Sequence, residues 1–220
     1  MKVIELHKSV TSVNDEEAQT VREQLKQKGV FLVNLMSSPG SGKTTLLKRI
    51  IQDMKAEYAI GVMEADIDSD VDAVSIEKTG AKAIQVHTDG MCHMDAGMTK
   101  TSLEETGVDD LDLVFLENVG NLICPAEYDT GAVKKVMILS VPEGDDKPLK
   151  YPLMFEKSDV LVISKIDALP YFDFDMDKCR ERTLYLNKNI QIFPVSAKTG
   201  QGIEELENWL KQEVHLWKEG

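Results

Sequence analysis

Residues Val30-Phe31-Leu32-Val33-Asn34-Leu35-Met36 are almost continuously apolar, and Ser37-Ser38-Pro39-Gly40-Ser41-Gly42-Lys43-Thr44 follows without a break. No other part of the chain restricts the fold as much. Hydrophobic side chains at consecutive positions suit a strand covered on both faces, as strands inside a parallel sheet are. The next residues, Thr45-Leu46-Leu47-Lys48-Arg49-Ile50, have helical periodicity. Strand, glycine-rich turn and helix together form the setting of the phosphate-binding pattern G-x-x-x-x-G-K-S/T, with Ser37 where the first Gly is usually written. Gly40 and Gly42 let the backbone wrap closely, so that successive N–H groups around Ser41 and the helix N-terminus at Thr44 and Thr45 can point at phosphate oxygens. Lys43 is expected to reach the β- and γ-phosphates, and the Thr44 hydroxyl to bind Mg²⁺.

The rest of the chain repeats the alternation. Apolar runs recur at Ala59–Met63, Ala83–Val86, Leu113–Leu116, Val136–Val141, Val160–Ile163 and Ile190–Val195. Helical periodicity marks Thr44–Lys55, Asp70–Lys78, Asp95–Glu105 and Ile203–Lys218. The expected fold is therefore α/β, a mostly parallel sheet of about seven strands with helices on both faces. Ahead of it, residues 1–29 read as a helical segment. Asn14 and Glu17 have capping-box spacing, Ala18, Val21 and Leu25 share a face, and Gly29 stops the helix. The remainder, 30–220, reads as the nucleotide-binding domain, with Pro142–Pro152 as its most loop-like stretch.

Composition narrows the partners. With 25 Lys+Arg against 38 Asp+Glu, the formal net charge is −13 over 220 residues. Such an excess argues against a nucleic-acid binder and against adhesion to an anionic membrane. No apolar run approaches a membrane span, and charge interrupts the first residues too often for a signal peptide. Three cysteines, Cys92, Cys124 and Cys179, make no disulfide framework, so a reducing cytoplasm is expected.

Acidic residues at later strand ends are candidates for Mg²⁺ and for orienting the attacking water: Asp66 after the second run and Glu117 after the fourth. Asp68, Asp70 and Asp72 compete for the role of Asp66. The base is read farther on. Ser164-Lys165-Ile166-Asp167 follows a buried run, where guanine-binding proteins write N/T-K-x-D. A carboxylate at Asp167 accepts from guanine N1–H and N2–H₂, a donor pair that adenine lacks, and Lys165 would lay its stem over the base. Ser164 stands where Asn is usual, so selectivity is expected to rest on Asp167 with lower affinity. Ser196-Ala197-Lys198 would supply the supporting loop, an Ala197 N–H meeting guanine O6.

Cys92 and His93 are adjacent, and Cys124 lies just beyond Glu117-Asn118-Val119-Gly120. Thiolate and imidazole suit Zn²⁺ or Ni²⁺. Three ligands leave a position open or call for completion across a dimer axis. Buried structural cysteines beside a surface histidine remain the alternative on residue types alone.

Taken together, SSPGSGKT at Ser37–Thr44, MCHMDA at Met91–Ala96 and ENVGNLICP at Glu117–Pro125 resemble the HypB family, GTPases that help insert nickel during maturation of nickel–iron hydrogenase. The likeness runs from about Val30 to the C-terminal helix. It implies a P-loop GTPase of the signal-recognition and MinD-related class, slow GTP hydrolysis, and a homodimer linked to nucleotide or metal. It also implies a nickel or zinc site at Cys92, His93 and Cys124, with a HypA-type maturation protein and the hydrogenase large subunit as partners. The chain carries neither the His-rich tract nor the Cys-rich motif found at the N-terminus of some members, so nickel storage there is not expected. Two other readings stay open: a urease-accessory-type nickel GTPase, disfavoured because Ala126 rather than His follows Pro125, and a P-loop small-molecule kinase with structural cysteines.

Overall fold

The computed structural model describes the backbone of residues 6–66 and 71–220 and the side chains of 12–65 and 73–220. Its strands are β1 (Phe31–Ser37), β2 (Ile60–Asp66), β3 (Lys82–His87), β4 (Leu113–Glu117), β5 (Lys134–Ser140), β6 (Val160–Ser164) and β7 (Gln191–Pro194). They pair in the order β3-β2-β4-β1-β5-β6-β7, and every pair is parallel. Each expected apolar run is a strand. β2 continues past its apolar run because pairing continues: Glu64 lies opposite Gln85 on one side and Glu117 on the other.

The helices are α1 (Leu6–Lys28), α2 (Lys43–Met54), α3 (Val71–Glu77), α4 (Ala96–Thr106), α5 (Cys124–Glu127), α6 (Lys147–Lys150), α7 (Pro152–Lys157), α8 (Met176–Leu186) and α9 (Ile203–Glu219). They cover both faces of the sheet, and β1 shows why its sequence does not alternate. Phe31, Val33 and Leu35 pack with Leu47 and Ile51 of α2 and Leu206 and Leu210 of α9. Leu32 turns the other way, onto Val21 and Leu25 of α1 and Leu103 of α4, and Met36 joins Met154 and Phe155 of α7. A strand with no solvent side has no use for polar alternation. No helix among the described residues is long and apolar enough to cross a membrane.

After β4 the chain passes β1 to form β5, so the strand order reverses at β1. Ligands of open α/β sheets bind outside the carboxyl ends of the strands at such a point.

Two local expectations need correction. Asn14 and Glu17 do not cap a helix start, because α1 already runs from Leu6. Asn14 sits inside it, buried, with its side chain bonded to distant backbone. The expected inward face does hold, with Ala18, Val21 and Leu25 all buried, and Gly29 ends the helix at φ +68°. Pro142–Pro152 is not a loop. A 3₁₀ turn over Val141–Glu143 is closed by a capping box from Ser140, and Pro148 and Pro152 sit in the first turns of α6 and α7, where a missing N–H costs nothing. The helix α8, for which there is no expectation from the sequence, has no clear apolar stripe. Only Cys179 and Thr183 of it are buried, and its start is marked by Asp175, whose side chain accepts from Lys178 N.

Candidate nucleotide and metal sites

The loop between β1 and α2 is shaped by two left-handed glycines, Gly40 (φ +73°) and Gly42 (φ +96°), a backbone that other residues enter only with strain. Ser37, fully buried at the first-glycine position, organises the turn. Its hydroxyl accepts from Ser41 Oγ at 2.6 Å and from Lys43 Nζ at 2.9 Å. Thr44 Oγ1 donates to Glu117 Oε1 at 2.8 Å, bringing the first hydroxyl of α2 to the end of β4. These groups border a cleft of about 590 Å³ lined by Gly40, Gly42, Lys43, Thr44, Thr45, Glu117 and the backbone through Gly120.

Glu64 also lines this cleft, only 3% exposed and in register with Glu117. Sequence reasoning passed over it. Its signal was a charge within β2, directly after the apolar run and two residues before Asp66. Asp66 ends β2 opposite His87 by its backbone. The side chains of Asp66 and Asp72, and Asp68 and Asp70 altogether, lie outside the described residues.

A second cleft of about 260 Å³ shares Gly42, Thr45 and Lys165 with the first and is bordered by Ser164, Asp167, Ala197 and Lys198. Lys165 adopts φ +59°, and its side chain crosses over Gly42 to donate from Nζ to Gly40 O at 2.6 Å. Ser164 Oγ donates to Ser41 O at 2.8 Å, so this serine ties β6 to the phosphate loop. Ser196 Oγ donates to Asp167 Oδ1 at 2.6 Å and accepts from Thr199 N at 3.2 Å. One hydroxyl thereby fixes both the carboxylate and the loop that faces it.

The third cluster is Cys92, His93 and Cys124, whose donor atoms all lie within 4.8 Å of one another. Cys92 Sγ and Cys124 Sγ are 3.2 Å apart. His93 stacks on Tyr128 with ring centroids 4.0 Å apart, and its buried Nδ1 has no hydrogen-bond partner among the described residues. Burial pushes the imidazole below its usual range, against the opposing charges of Asp95 and Glu127, which favours the neutral, ligating form. The Cys124 thiol is raised, first by its contact with Cys92 and then by burial. A soft cation among the three donors would replace that contact.

Comparison with known proteins matches residues 31–194 to the CobW/HypB/UreG nucleotide-binding domain. The hydrogenase maturation factor HypB of Rhizobium leguminosarum is 44% identical over 96% of this chain and 70% of its own length. That of Escherichia coli K12 is 41% identical over 96% and 72% respectively. The chain belongs to the HypB family. Among solved structures, Helicobacter pylori HypB in complex with nickel superposes with a TM-score of 0.86 at 38% identity, covering 92% of this chain and 95% of that one. HypB from Archaeoglobus fulgidus gives the same TM-score at 36% identity, over 92% and 99%. The signal recognition particle receptor FtsY of Elizabethkingia anophelis, at 12% identity and a TM-score of 0.55 over 80% of this chain and 65% of its own, shares the fold.

In this HypB-family chain, one segment borders both the first cleft and the Cys92–His93–Cys124 cluster. It starts at Glu117, bonded to Thr44, and ends at Cys124. Midway, a Cβ on Gly120 would stand 2.9 Å from Pro39 Cγ and 3.0 Å from Pro39 N, so only glycine lets the two loops touch. Asn118 Oδ1 accepts from Met94 N at 3.2 Å, next to His93, while its Nδ2 donates to Asn34 Oδ1 at 3.2 Å. Asn121 Nδ2 donates to Cys92 O at 3.2 Å, and its Oδ1 accepts from Ile123 N at 2.9 Å.

Proposed function

We propose that this HypB-family member is a GTP-hydrolysing metallochaperone that carries nickel or zinc on Cys92, His93 and Cys124 and assists nickel insertion into hydrogenase. The observation that carries this reading is the Glu117–Cys124 segment, hydrogen-bonded to the phosphate loop at one end and supplying a metal ligand at the other.

In this reading the base enters the cleft beside Asp167, where the Ser196-held carboxylate pairs with guanine, Lys165 covers the ring, and Ala197 and Lys198 close the far side. The backbone of Gly40–Thr45 surrounds the phosphates, and Lys43 exchanges its bond to Ser37 for the β- and γ-phosphate oxygens. Adjacent hydroxyl and carboxylate oxygens on Thr44 and Glu117 suit Mg²⁺, which prefers hard oxygen donors, with Asp66 as a further candidate. Bound there, Mg²⁺ would neutralise charge developing on the transferred phosphoryl group. Lys43 and Glu117 act as the catalytic side chains, by charge and by orientation of water. A kinase has no need of the Asp167–Ser196 pairing, which favours the GTPase reading.

When the γ-phosphate leaves, the Glu117–Gly120 backbone loses a contact and shifts. The Cys124 ligand then moves relative to Cys92 and His93. By linkage, metal affinity then depends on the nucleotide and nucleotide affinity on the metal. With three donors per subunit, a second copy completes the site and the dimer becomes the delivery form. A HypA-type protein and the hydrogenase large subunit are the proposed recipients in sequence.

The test is a titration of metal-free protein with Ni²⁺ and with Zn²⁺, in GDP and in a non-hydrolysable GTP analogue, with mass in solution recorded alongside. Nucleotide-dependent metal affinity and dimerisation are expected. Identical titrations in both nucleotides would leave a GTPase with a passive metal site and sink the switch.

A further inference from the structure

We propose that Asn14, on the N-terminal helix, is a positioning residue for the Cys92–His93–Cys124 cluster, its carboxamide tying the start of α4, just past His93, to the turn after α5, just past Tyr128. The inference rests on the reading of Cys92, His93 and Cys124 as a metal site. Asn14 is 8% exposed and lies on the inward side of α1 with Ala18 and Val21. Its Oδ1 accepts from Ala96 N at 2.9 Å, and its Nδ2 donates to Asp129 O at 2.9 Å.

Those two backbone groups are not arbitrary points. Ala96 follows His93 by three residues, and Asp129 directly follows Tyr128, the ring on which His93 stacks. One planar amide therefore bridges the two strands of chain whose side chains form the His93–Tyr128 stack. A polar side chain at a buried helix position is unfavourable unless it is bonded, and a leucine there would suit the apolar face of α1. The amide fits because its two bonds reach the chain just past His93 and just past Tyr128. Asp129 is gripped a second time, its carboxylate accepting from Arg22 Nη1 at 3.0 and 3.1 Å.

The geometry also divides the labour. Asn118 and Asn121 hold the Cys92–His93 loop from the nucleotide side. Asn14 holds it from the helix side, independently of the phosphate cleft.

The test titrates the metal-free full chain with Ni²⁺ alone, following the thiolate-to-nickel charge-transfer absorption, for the parent, Asn14→Leu and Asn14→Asp. Asn14→Leu removes both bonds. Asn14→Asp keeps the acceptor for Ala96 N and loses the donor to Asp129 O, and it reports on the clamp even where Asn14→Leu folds poorly. Both variants are expected to bind Ni²⁺ more weakly, by about tenfold for Asn14→Leu, the lower end of what outer-shell partners of metal ligands contribute. The absorption band should shift while GDP affinity of the metal-free protein is unchanged. Parent-like affinity and an unshifted band in a folded variant, even with a lowered melting temperature, would reduce Asn14 to a structural residue and overturn the proposal. Failure of the underlying reading looks different: the parent itself would show no band, or would keep it after Cys92→Ala.

Discussion

A serine in place of the usual first glycine does work in this phosphate loop, since Ser37 Oγ is the shared acceptor for Ser41 and Lys43. Ser37→Ala leaves both donors without that partner and is expected to cost about 1–2 kcal/mol of stability, read by denaturant unfolding. Asp167→Ala should abolish discrimination between GTP and ATP, a change of about a hundredfold in competition binding, because the guanine donor pair loses its acceptor. The pattern residues from Gly40 to Thr45, and Lys165 with Asp167, could be proposed from the sequence because the roles proposed for them depend on spacing within a few positions of one another. Asn14 and Asn118 could not. Each bonds to groups far away in sequence, as Asn14 does with Ala96 and Asp129 and Asn118 with Asn34, and no local pattern encodes such pairings. Ser164 falls between the two cases: its departure from the usual asparagine was visible, but its bond to Ser41 O was not.

Elements were readable where burial alone decides them. The seven strands are short apolar runs, and their two-sided burial is what removes polar alternation. Where polar contacts decide, the reading of Pro142–Pro152 as a loop failed, since its prolines start helices; α8, whose cap is clearer than its face, drew no reading at all. Contacts between elements carry two further predictions. Gly120→Ala would press a methyl group onto Pro39 and is expected to cost about 1–3 kcal/mol, with weakened nucleotide binding measured by titration. Between α2 and α9, Glu207 is raised to about 7, chiefly by burial and then by the charge and hydrogen bond of Asp53, partly offset by Arg49 and Lys211. Because its folded pKa lies above the ordinary 4.5, the folded state holds the extra proton between those values, and this contribution is lost as pH rises through about 7. Melting temperature should therefore decline across that window in the parent, and Glu207→Gln should flatten the decline.

At the level of the whole molecule, the fold places both clefts at the carboxyl ends of the strands and the Cys92–His93–Cys124 cluster one loop away. That arrangement predicts that Lys43→Ala abolishes GTP binding yet leaves Ni²⁺ binding to the metal-free protein intact, while removing its nucleotide dependence; parallel titrations check both halves. The two sulfurs of the cluster have a further consequence. Half-exposed thiols 3.2 Å apart form a dithiol that dissolved oxygen can close into a disulfide with loss of two protons and two electrons. A cation held there would occupy both sulfurs and block that reaction. Protein stored in air without metal should lose two titratable thiols along with its capacity for Ni²⁺, whereas protein stored with the metal should keep both. Cargo, on this view, is also the preservative of its own carrier.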